Sequence, residues 1–307
     1  MRVAFMGTPQ FAVPSLEALL GSRHEVVVVV TGEDKPAGRS LRITETPVKL
    51  AAKQHGLPIL QPVDLKDPFF ARAFAGFNAD VCLVVAFRIL PPRIFSTPAM
   101  GSVNLHPSLL PQLRGAAPIN WALMRGVTRT GVTTFKIERK VDTGNILLQE
   151  SVDIHPEDDA GNLAVRLAEV GAMLSVRTLD ELEEGTLEPR SQEGEVTTAP
   201  KITREMCLID WNRKADEIHN LVRGLAPSPA AFSRLGDRIL KVFKTVLLSE
   251  NTSASPGVIT IRDENRLFVS TGEGSLEVIE LQLEGKRRMK AEDFLRGAKL
   301  SSGTELG

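Results

Sequence analysis

Arg2-Val3-Ala4-Phe5-Met6-Gly7-Thr8-Pro9, followed some twenty residues on by Val26-Val27-Val28-Val29-Val30-Thr31, decides the fold of this 307-residue chain. The first run is short, apolar and strand-like, and it stops at a Gly-Thr-Pro turn signal. A helix is predicted from about Ala12, with Pro14 in its first turn and Leu16, Leu19 and Leu20 on one face. The valine run is β-branched without polar alternation, as a parallel strand covered on both faces must be. Outward from there, Gly32 to Thr46 is polar and rich in turn signals, and Pro47 to His55 reads as a short helix. Val81–Ala86 and Val103–Leu105 read as further buried strands, and Gly131–Ile137 and Ile146–Leu148 as later ones. A patterned helix is predicted over Ala160–Glu183, where Leu163, Leu167, Val170, Leu174 and Leu182 line one stripe. This β-α alternation predicts an α/β fold: a Rossmann-like, open, mostly parallel sheet with helices on both faces.

Between Glu183 and Glu205 the pattern lapses into Gly-, Pro-, Ser- and Thr-rich sequence, which reads as a linker. Beyond Ile209-Asp210-Trp211, a helix over about Ala215–Gly224 leads into the β-like runs Arg238–Thr245, Gly257–Ile261, Leu267–Ser270 and Leu276–Leu283. Their Gly and Asp/Asn punctuation predicts a second, smaller C-terminal β-barrel of OB-like type. The expected organisation is therefore residues 1–185, a linker over 186–206, and the barrel over 207–307. Ser301–Gly307 is expected to fray.

Composition narrows the class further. Hydrophobic residues make up 42% and charged residues 24%, which excludes intrinsic disorder and collagen-like structure. Cys82 and Cys207 stand alone, without the C-x-x-C spacing of a zinc site or the pattern of a disulfide framework. The first turn signal at Gly7 arrives too early for a signal peptide, and Val26–Val30 is too short to span a membrane. A cytoplasmic protein is expected. The formal charge is −1, with 22 basic against 24 acidic residues up to Met206 and 15 against 14 from Cys207 onward. Neither part is a broadly basic nucleic-acid binder.

Three stretches can carry chemistry. Gly7-Thr8-Pro9 occupies the first β-α junction, where dinucleotide folds place a glycine fingerprint, but it has one glycine and Pro9 lacks a backbone donor. It reads as a tight turn shaping a pocket at the sheet's carboxyl edge. Asn104-Leu105-His106 ends a strand with two polar side chains on one side. A carboxamide beside an imidazole supplies an oxyanion donor and a proton-transfer group together. By itself Asn-x-His also fits a plain polar strand end. The Pro107-Ser108-Leu109-Leu110-Pro111 loop and Arg114-Gly115-Ala116-Ala117-Pro118-Ile119 favour the chemical reading, since they build a rigid wall for a planar ligand. Asp142-Thr143-Gly144 fits a turn, or a partner that orients His106 and favours its protonated form. His24, His55, His155 and His219 show no metal-ligand spacing, Trp121 and Trp211 read as packing residues, and Lys286–Lys290 reads as a solvated turn or a phosphate contact.

At these residues the chain resembles the methionyl-tRNA formyltransferase family. The likeness runs through Phe5 to Ala12, Asp34 to Arg39, Asn104 to Ile119, Asp142-Thr143-Gly144, Ile209-Asp210-Trp211 and Pro256-Gly257. The Asn-His-Asp set and the Ser-Leu-Leu-Pro loop are common to 10-formyltetrahydrofolate enzymes at large. The Pro36-Ala37-Gly38-Arg39 insertion and the C-terminal domain are more specific. The resemblance implies formyl transfer from 10-formyltetrahydrofolate to the α-amino group of initiator methionyl-tRNA. It implies catalytic Asn104, His106 and Asp142, and folate contacts from Ser108, Leu109, Leu110, Pro111, Val85, Ala86 and Ile89. Thr8 and Phe11 would face the methionine side chain, and Arg39 the acceptor end of the tRNA. No metal and no membrane are implied, and a monomer is expected. Phe87-Arg88 departs from the Tyr-Gly common in the family. The competing readings are a related formyltransferase acting on a small amine such as an amino-sugar nucleotide, and a non-catalytic RNA-binding module. A nucleotide-dependent oxidoreductase is disfavoured by the missing glycine fingerprint.

Overall fold

Five parallel strands form the centre of the first sheet: β1 (Arg2–Gly7), β2 (Glu25–Val30), β5 (Ile59–Leu60), β6 (Val81–Val85) and β7 (Ser102–His106). Two further strands, β8 (Arg129–Lys136) and β9 (Ile146–Asp153), close one edge in antiparallel register, giving the order β5-β2-β1-β6-β7-β8-β9. The computed structural model describes residues 1–37, 42–248, 254–263, 265–298 and 300–307. Contacts group the chain into two units: Met1–Gly115, Arg129–Asp153 and Ala164–Ala199 form the first, and Ala116–Thr128, Ile154–Leu163 and Pro200–Gly307 the second. The segment expected as a linker contributes to both.

In the first unit, β1 and β2 are buried from their second residue to their last and β6 along its whole length, as unbroken apolar runs covered on both faces should be. Gly7 closes β1 where space is tightest. A Cβ there would fall 2.8 Å from that of Ala12 and 3.1 Å from the Val85 carbonyl oxygen, so the expected tight turn is built by close approach. The chain leaves β1 for β2 on one side and returns to β6 on the other. This reversal of strand order is where open α/β sheets form their ligand crevice. In the polar stretch, β3 (Lys35–Ala37) and β4 (Arg42–Thr44) pair as a two-stranded ribbon. Arg39, between these two strands in sequence, lies outside the described residues.

The helices follow local signals. α1 (Val13–Leu20) carries Pro14 in its first turn and buries Leu16 and Leu19. α2 (Pro47–Gln54) is capped by Thr46, whose hydroxyl accepts from the Lys49 N–H. α3 (Pro68–Ala75) lies where the sequence reading expects no element; Asp67 caps it, and it buries Phe70 and Phe74, stacked at 6.0 Å. A short α4 (Pro92–Phe95) precedes β7. Residues 164–184 of the 25-residue helix α6 (Ala160–Glu184) belong to this unit and bury Leu167, Leu174 and Leu179. No helix among the described residues is long and apolar enough to cross a membrane.

The second unit holds a six-stranded, wholly antiparallel sheet, consistent with a small barrel-like domain. Its strands β10 (Ala231–Leu235), β11 (Arg238–Leu248), β14 (Ser275–Leu283), β13 (Arg266–Ser270) and β12 (Ile259–Arg262) follow one another, and β15 (Met289–Lys290) adds to β14. Ile218, Val222 and Leu225 of α7 (Ala215–Leu225) share one core with Trp211, Val242, Leu267, Leu276 and Leu281. The Trp211 indole N–H donates to Ser233 Oγ at 2.9 Å, so its polar edge is satisfied in that core. α5 (Pro118–Met124) joins this unit because Asn120 Nδ2 donates to the Gly224 carbonyl at 2.7 Å. A short α8 (Ala291–Gly297) follows β15. Ser301–Gly307 does not fray. Its Leu306 is buried and donates its N–H to the Gly257 carbonyl, and Gly307 exchanges two backbone hydrogen bonds with Arg234.

Candidate active site

β7 delivers the site. Asn104 pairs in register with Val84 on β6 and Phe135 on β8, and His106 with Thr133 on β8. Being two residues apart, Asn104 and His106 project to the same side of the sheet. The Asn104 carboxamide is half-buried and has no hydrogen-bond partner among the described residues. His106 is held from two directions. Its Nε2 lies 3.0 Å from the Leu113 carbonyl, an acceptor only, so Nε2 carries the proton and donates. Its ring meets Phe135 edge-on at 6.5 Å.

Asp142 stands at the other side of the ring, with Oδ2 3.9 Å from His106 Nδ1. That is beyond hydrogen-bond reach but close enough for a charge to act across a buried gap. The same Oδ2 accepts the Gly115 N–H at 2.8 Å. Asp142 takes a left-handed backbone, φ 54°, which Asp and Asn tolerate best among residues with a side chain. Gly144 is fixed by space, since a Cβ there would lie 1.7 Å from the Lys136 carbonyl oxygen.

Two effects oppose each other at His106. Burial pushes the His106 imidazole below its ordinary pKa, and the opposing pull of the Asp142 carboxylate is the smaller effect. His106 therefore rests neutral at pH 7, with Nδ1 bare and turned toward Asp142. A depressed imidazole also ties folding to pH. As pH falls through the ordinary histidine range the unfolded chain takes up the proton first, so stability is lost on the acid side and kept above it. Asp142→Asn removes the carboxylate pull on the ring, so the His106 pKa should fall further. The chain has five histidines, few enough for a resolved NMR titration, and an unchanged or raised value would remove Asp142 as the facing charge.

The loop after β7 is braced internally. Thr133 Oγ1 donates to the Ser108 carbonyl at 2.6 Å and accepts from the Leu110 N–H and Gln149 Nε2. Gln149 Nε2 also reaches the Leu110 carbonyl. The Ser108 hydroxyl donates to the Gln112 carbonyl at 2.6 Å and is fully buried. Ser108 is thus a strut of the loop and offers no free hydroxyl. Leu110 and Pro111 are buried and Leu109 half-buried. An open groove of about 460 Å³ runs beside Leu110, Ile146, Gln149 and Arg190.

The remaining expected contacts fall in two places. Val85 is fully buried at the end of β6, while Ala86 is exposed with φ 47° and Ile89 is 75% exposed. Thr8 Oγ1 accepts from the Gly32 N–H at 3.2 Å, and Phe11 is half-buried. Arg88 explains how the departure from Tyr-Gly is accommodated. Its guanidinium donates to the Pro62 and Val63 carbonyls at 2.6 and 2.9 Å and sits 5.3 Å from the centre of the Phe87 ring. Cys82 is fully buried, its thiol pushed up to about 12 by desolvation, which leaves it inert as a nucleophile. No group of three or more His, Cys, Asp or Glu residues able to hold a metal occurs among the described residues. Thr133, Gln149, the Leu113 carbonyl and Gln192, a residue of the expected linker that donates to the Asp142 carbonyl at 2.9 Å, belong to the site without having been read from sequence.

Comparison with known proteins settles the family. The formyl transferase family model matches residues 1–179, and the model for the formyl transferase C-terminal domain matches residues 201–299. The methionyl-tRNA formyltransferase of Chlorobium phaeovibrioides is 46% identical over 314 aligned positions, covering 100% of this chain and 98% of that protein. This chain belongs to the methionyl-tRNA formyltransferase family. The enzyme of the same name from Citrifermentans bemidjiense is 45% identical, covering 100% of this chain and 96% of its own. Among solved structures, the Helicobacter canadensis N-formyltransferase in complex with folinic acid and dTDP-3-aminofucose is similar at TM-score 0.68 and 18% identity, over 94% of this chain and 100% of its own. The methionyl-tRNA formyltransferase of Clostridium thermocellum is similar at TM-score 0.57 and 18% identity, over 81% and 94%. At such identities the structural likeness carries the fold, and the family rests on the full-length relatives.

Proposed function

We propose that this chain transfers the formyl group of 10-formyltetrahydrofolate to the α-amino group of initiator methionyl-tRNA, supplying N-formylmethionyl-tRNA to translation initiation. The observation that carries the reading is a carboxamide without a hydrogen-bond partner among the described residues, a buried imidazole and a carboxylate gathered at the carboxyl end of one strand. Full-length relatives of that name at 42–46% identity support the substrate pair.

The chemistry follows from the side chains. The attacking amine must be neutral, and its nitrogen bonds to the formyl carbon, which turns tetrahedral with charge on oxygen. Asn104 Nδ2 donates a hydrogen bond to that oxygen. His106, neutral at rest, accepts the proton released by the attacking nitrogen at Nδ1, the ring atom not committed to Leu113. The imidazolium so formed is stabilised by Asp142 across the 3.9 Å gap. His106 then returns that proton to the departing folate nitrogen as its bond to carbon breaks, leaving the formamide and tetrahydrofolate. No step consumes a metal or an oxidant.

Under this reading the loop of Ser108, Leu109, Leu110 and Pro111 and the main chain of Val85, Ala86 and Ile89 flank the folate. Thr8 and Phe11 flank the methionine side chain, and Arg39 meets the acceptor end. Residues 1–185 are the catalytic domain. Residues 207–307, as an OB-like barrel, hold the tRNA through a few placed cations, since RNA helices are met largely through backbone and shape. The enzyme is monomeric and cytoplasmic in this reading.

The test is a side-by-side assay with 10-formyltetrahydrofolate. Charged initiator tRNA is expected to be formylated at least about a hundredfold faster than an amino-sugar nucleotide or uncharged controls, a gap of about 2.7 kcal/mol. Equal turnover on the small amine would move the protein to the small-amine branch of these enzymes.

A further inference from the structure

We propose that Gln192 is a positioning residue of the transfer site, one side chain that sets the Asp142 carboxylate against His106. The inference rests on the functional reading above for its meaning, and on hydrogen bonds within the first unit for its geometry.

Gln192 lies in the Pro-, Ser- and Gly-containing stretch that reads as a tether, yet both ends of its half-buried carboxamide are engaged. Its Nε2 donates to the Asp142 carbonyl at 2.9 Å and to the Gly144 carbonyl at 2.8 Å. Its Oε1 accepts from Arg114 Nη2 at 2.6 Å and Nε at 3.1 Å. The Asp-Thr-Gly turn is thereby tied from outside at both its first and third residues. That turn needs a tie. Asp142 is in the left-handed region, a conformation that persists only where surroundings over-determine it.

The same stretch also fixes the other partner of His106. Thr197 Oγ1 accepts the Leu113 N–H at 2.9 Å, and the backbones of Thr197 and Ala199 bracket Arg114 with hydrogen bonds of 2.9 and 2.7 Å. Leu113, whose carbonyl holds His106 Nε2, is likewise left-handed at φ 59°. Residues 190–199 therefore form a strap. Thr197 holds the group that fixes the imidazole tautomer, and Gln192 holds the turn that presents the facing charge. Gly115, whose N–H binds Asp142 Oδ2, directly follows Arg114, so the strap reaches the carboxylate from both sides. Partners that orient a metal's ligands typically cost about 10–100-fold in activity when removed, and the same size of loss is expected for a partner that orients a carboxylate against a proton-transfer group.

Two variants separate the parts. Gln192→Ala removes all four bonds. Gln192→Glu keeps an acceptor for Arg114 but loses both donors to the turn and sets a carboxylate against two carbonyl oxygens. Both are expected to fold, with kcat lowered about 10–100-fold and KM for folate and for charged tRNA within about twofold. In Gln192→Ala, which adds no charge, the His106 pKa read by NMR on the free protein should fall, because the Asp142 carboxylate no longer faces the ring. Wild-type kcat in Gln192→Glu, a loss confined to KM, or an unmoved His106 titration in Gln192→Ala would overturn the proposal. The NMR arm needs no substrate and so decides the geometry by itself. Absence of transfer by the wild-type protein would instead overturn the functional reading.

Discussion

His106→Ala is expected to lower the rate of formyl transfer by roughly 10²–10⁴-fold, the range for loss of a positioned proton-transfer group, with tRNA binding retained. The expectation comes from the economy of the site. His106 is the one histidine on the carboxyl end of β7, it rests neutral because burial outweighs the pull of Asp142, and its second nitrogen is committed to Leu113. Removal leaves the proton of the attacking amine no acceptor but solvent. It also empties the space beside Phe135, which loosens the core there. His106→Asn is the control, because it keeps a polar group of similar reach without imidazole basicity. A stable His106→Asn variant that retained more than about a tenth of the wild-type rate would remove His106 from the chemistry.

Asn104→Ala is expected to reduce kcat by about 10²–10³-fold, the usual effect of deleting one oxyanion donor, while substrate KM values change little. The carboxamide has no hydrogen-bond partner among the described residues, so its deletion breaks no structural bond. Its Nδ2 donor is needed only when charge gathers on the formyl oxygen, which is why kcat should carry the effect. Asn104→Asp should be as damaging at neutral pH, since a carboxylate there would face the developing negative charge. Near wild-type kcat in Asn104→Ala, measured beside an unchanged melting temperature, would mean that the oxyanion is held elsewhere.

Much of the scaffold was legible in the sequence for a simple reason. Runs such as Val26–Val30 and Val81–Val85 are apolar without alternation, and only a strand covered on both faces uses such a pattern. Asn104 and His106 were legible because the period of a strand places them together. α3 was not legible because eight residues are too few for a clear helical period, and its other signals are only the Asp67 cap and the Phe70/Phe74 pair. The antiparallel pairing of β8 with β7 is a matter of topology, which periodicity does not carry. The strap was illegible for a deeper reason. Gln192 meets Asp142 across fifty residues of sequence, and two of its partners are carbonyl oxygens that every residue has. The pull of Asp142 on His106 was legible because both residues stand in the sequence, whereas the larger, opposing effect of burial was not.

The account turns on one claim, that Asn104, His106 and Asp142 together move a formyl group onto charged tRNA. The most direct measurement is a single-turnover experiment with labelled 10-formyltetrahydrofolate and methionyl-tRNA, comparing wild type with the combined Asn104→Ala, His106→Ala, Asp142→Asn variant. Wild-type protein should deliver label to the α-nitrogen of methionine, recovered as N-formylmethionine after hydrolysis of the ester. The triple variant should bind the tRNA and transfer label at least about 10⁴-fold more slowly. A triple variant within about tenfold of wild type, or wild-type label found anywhere but on that nitrogen, would contradict it.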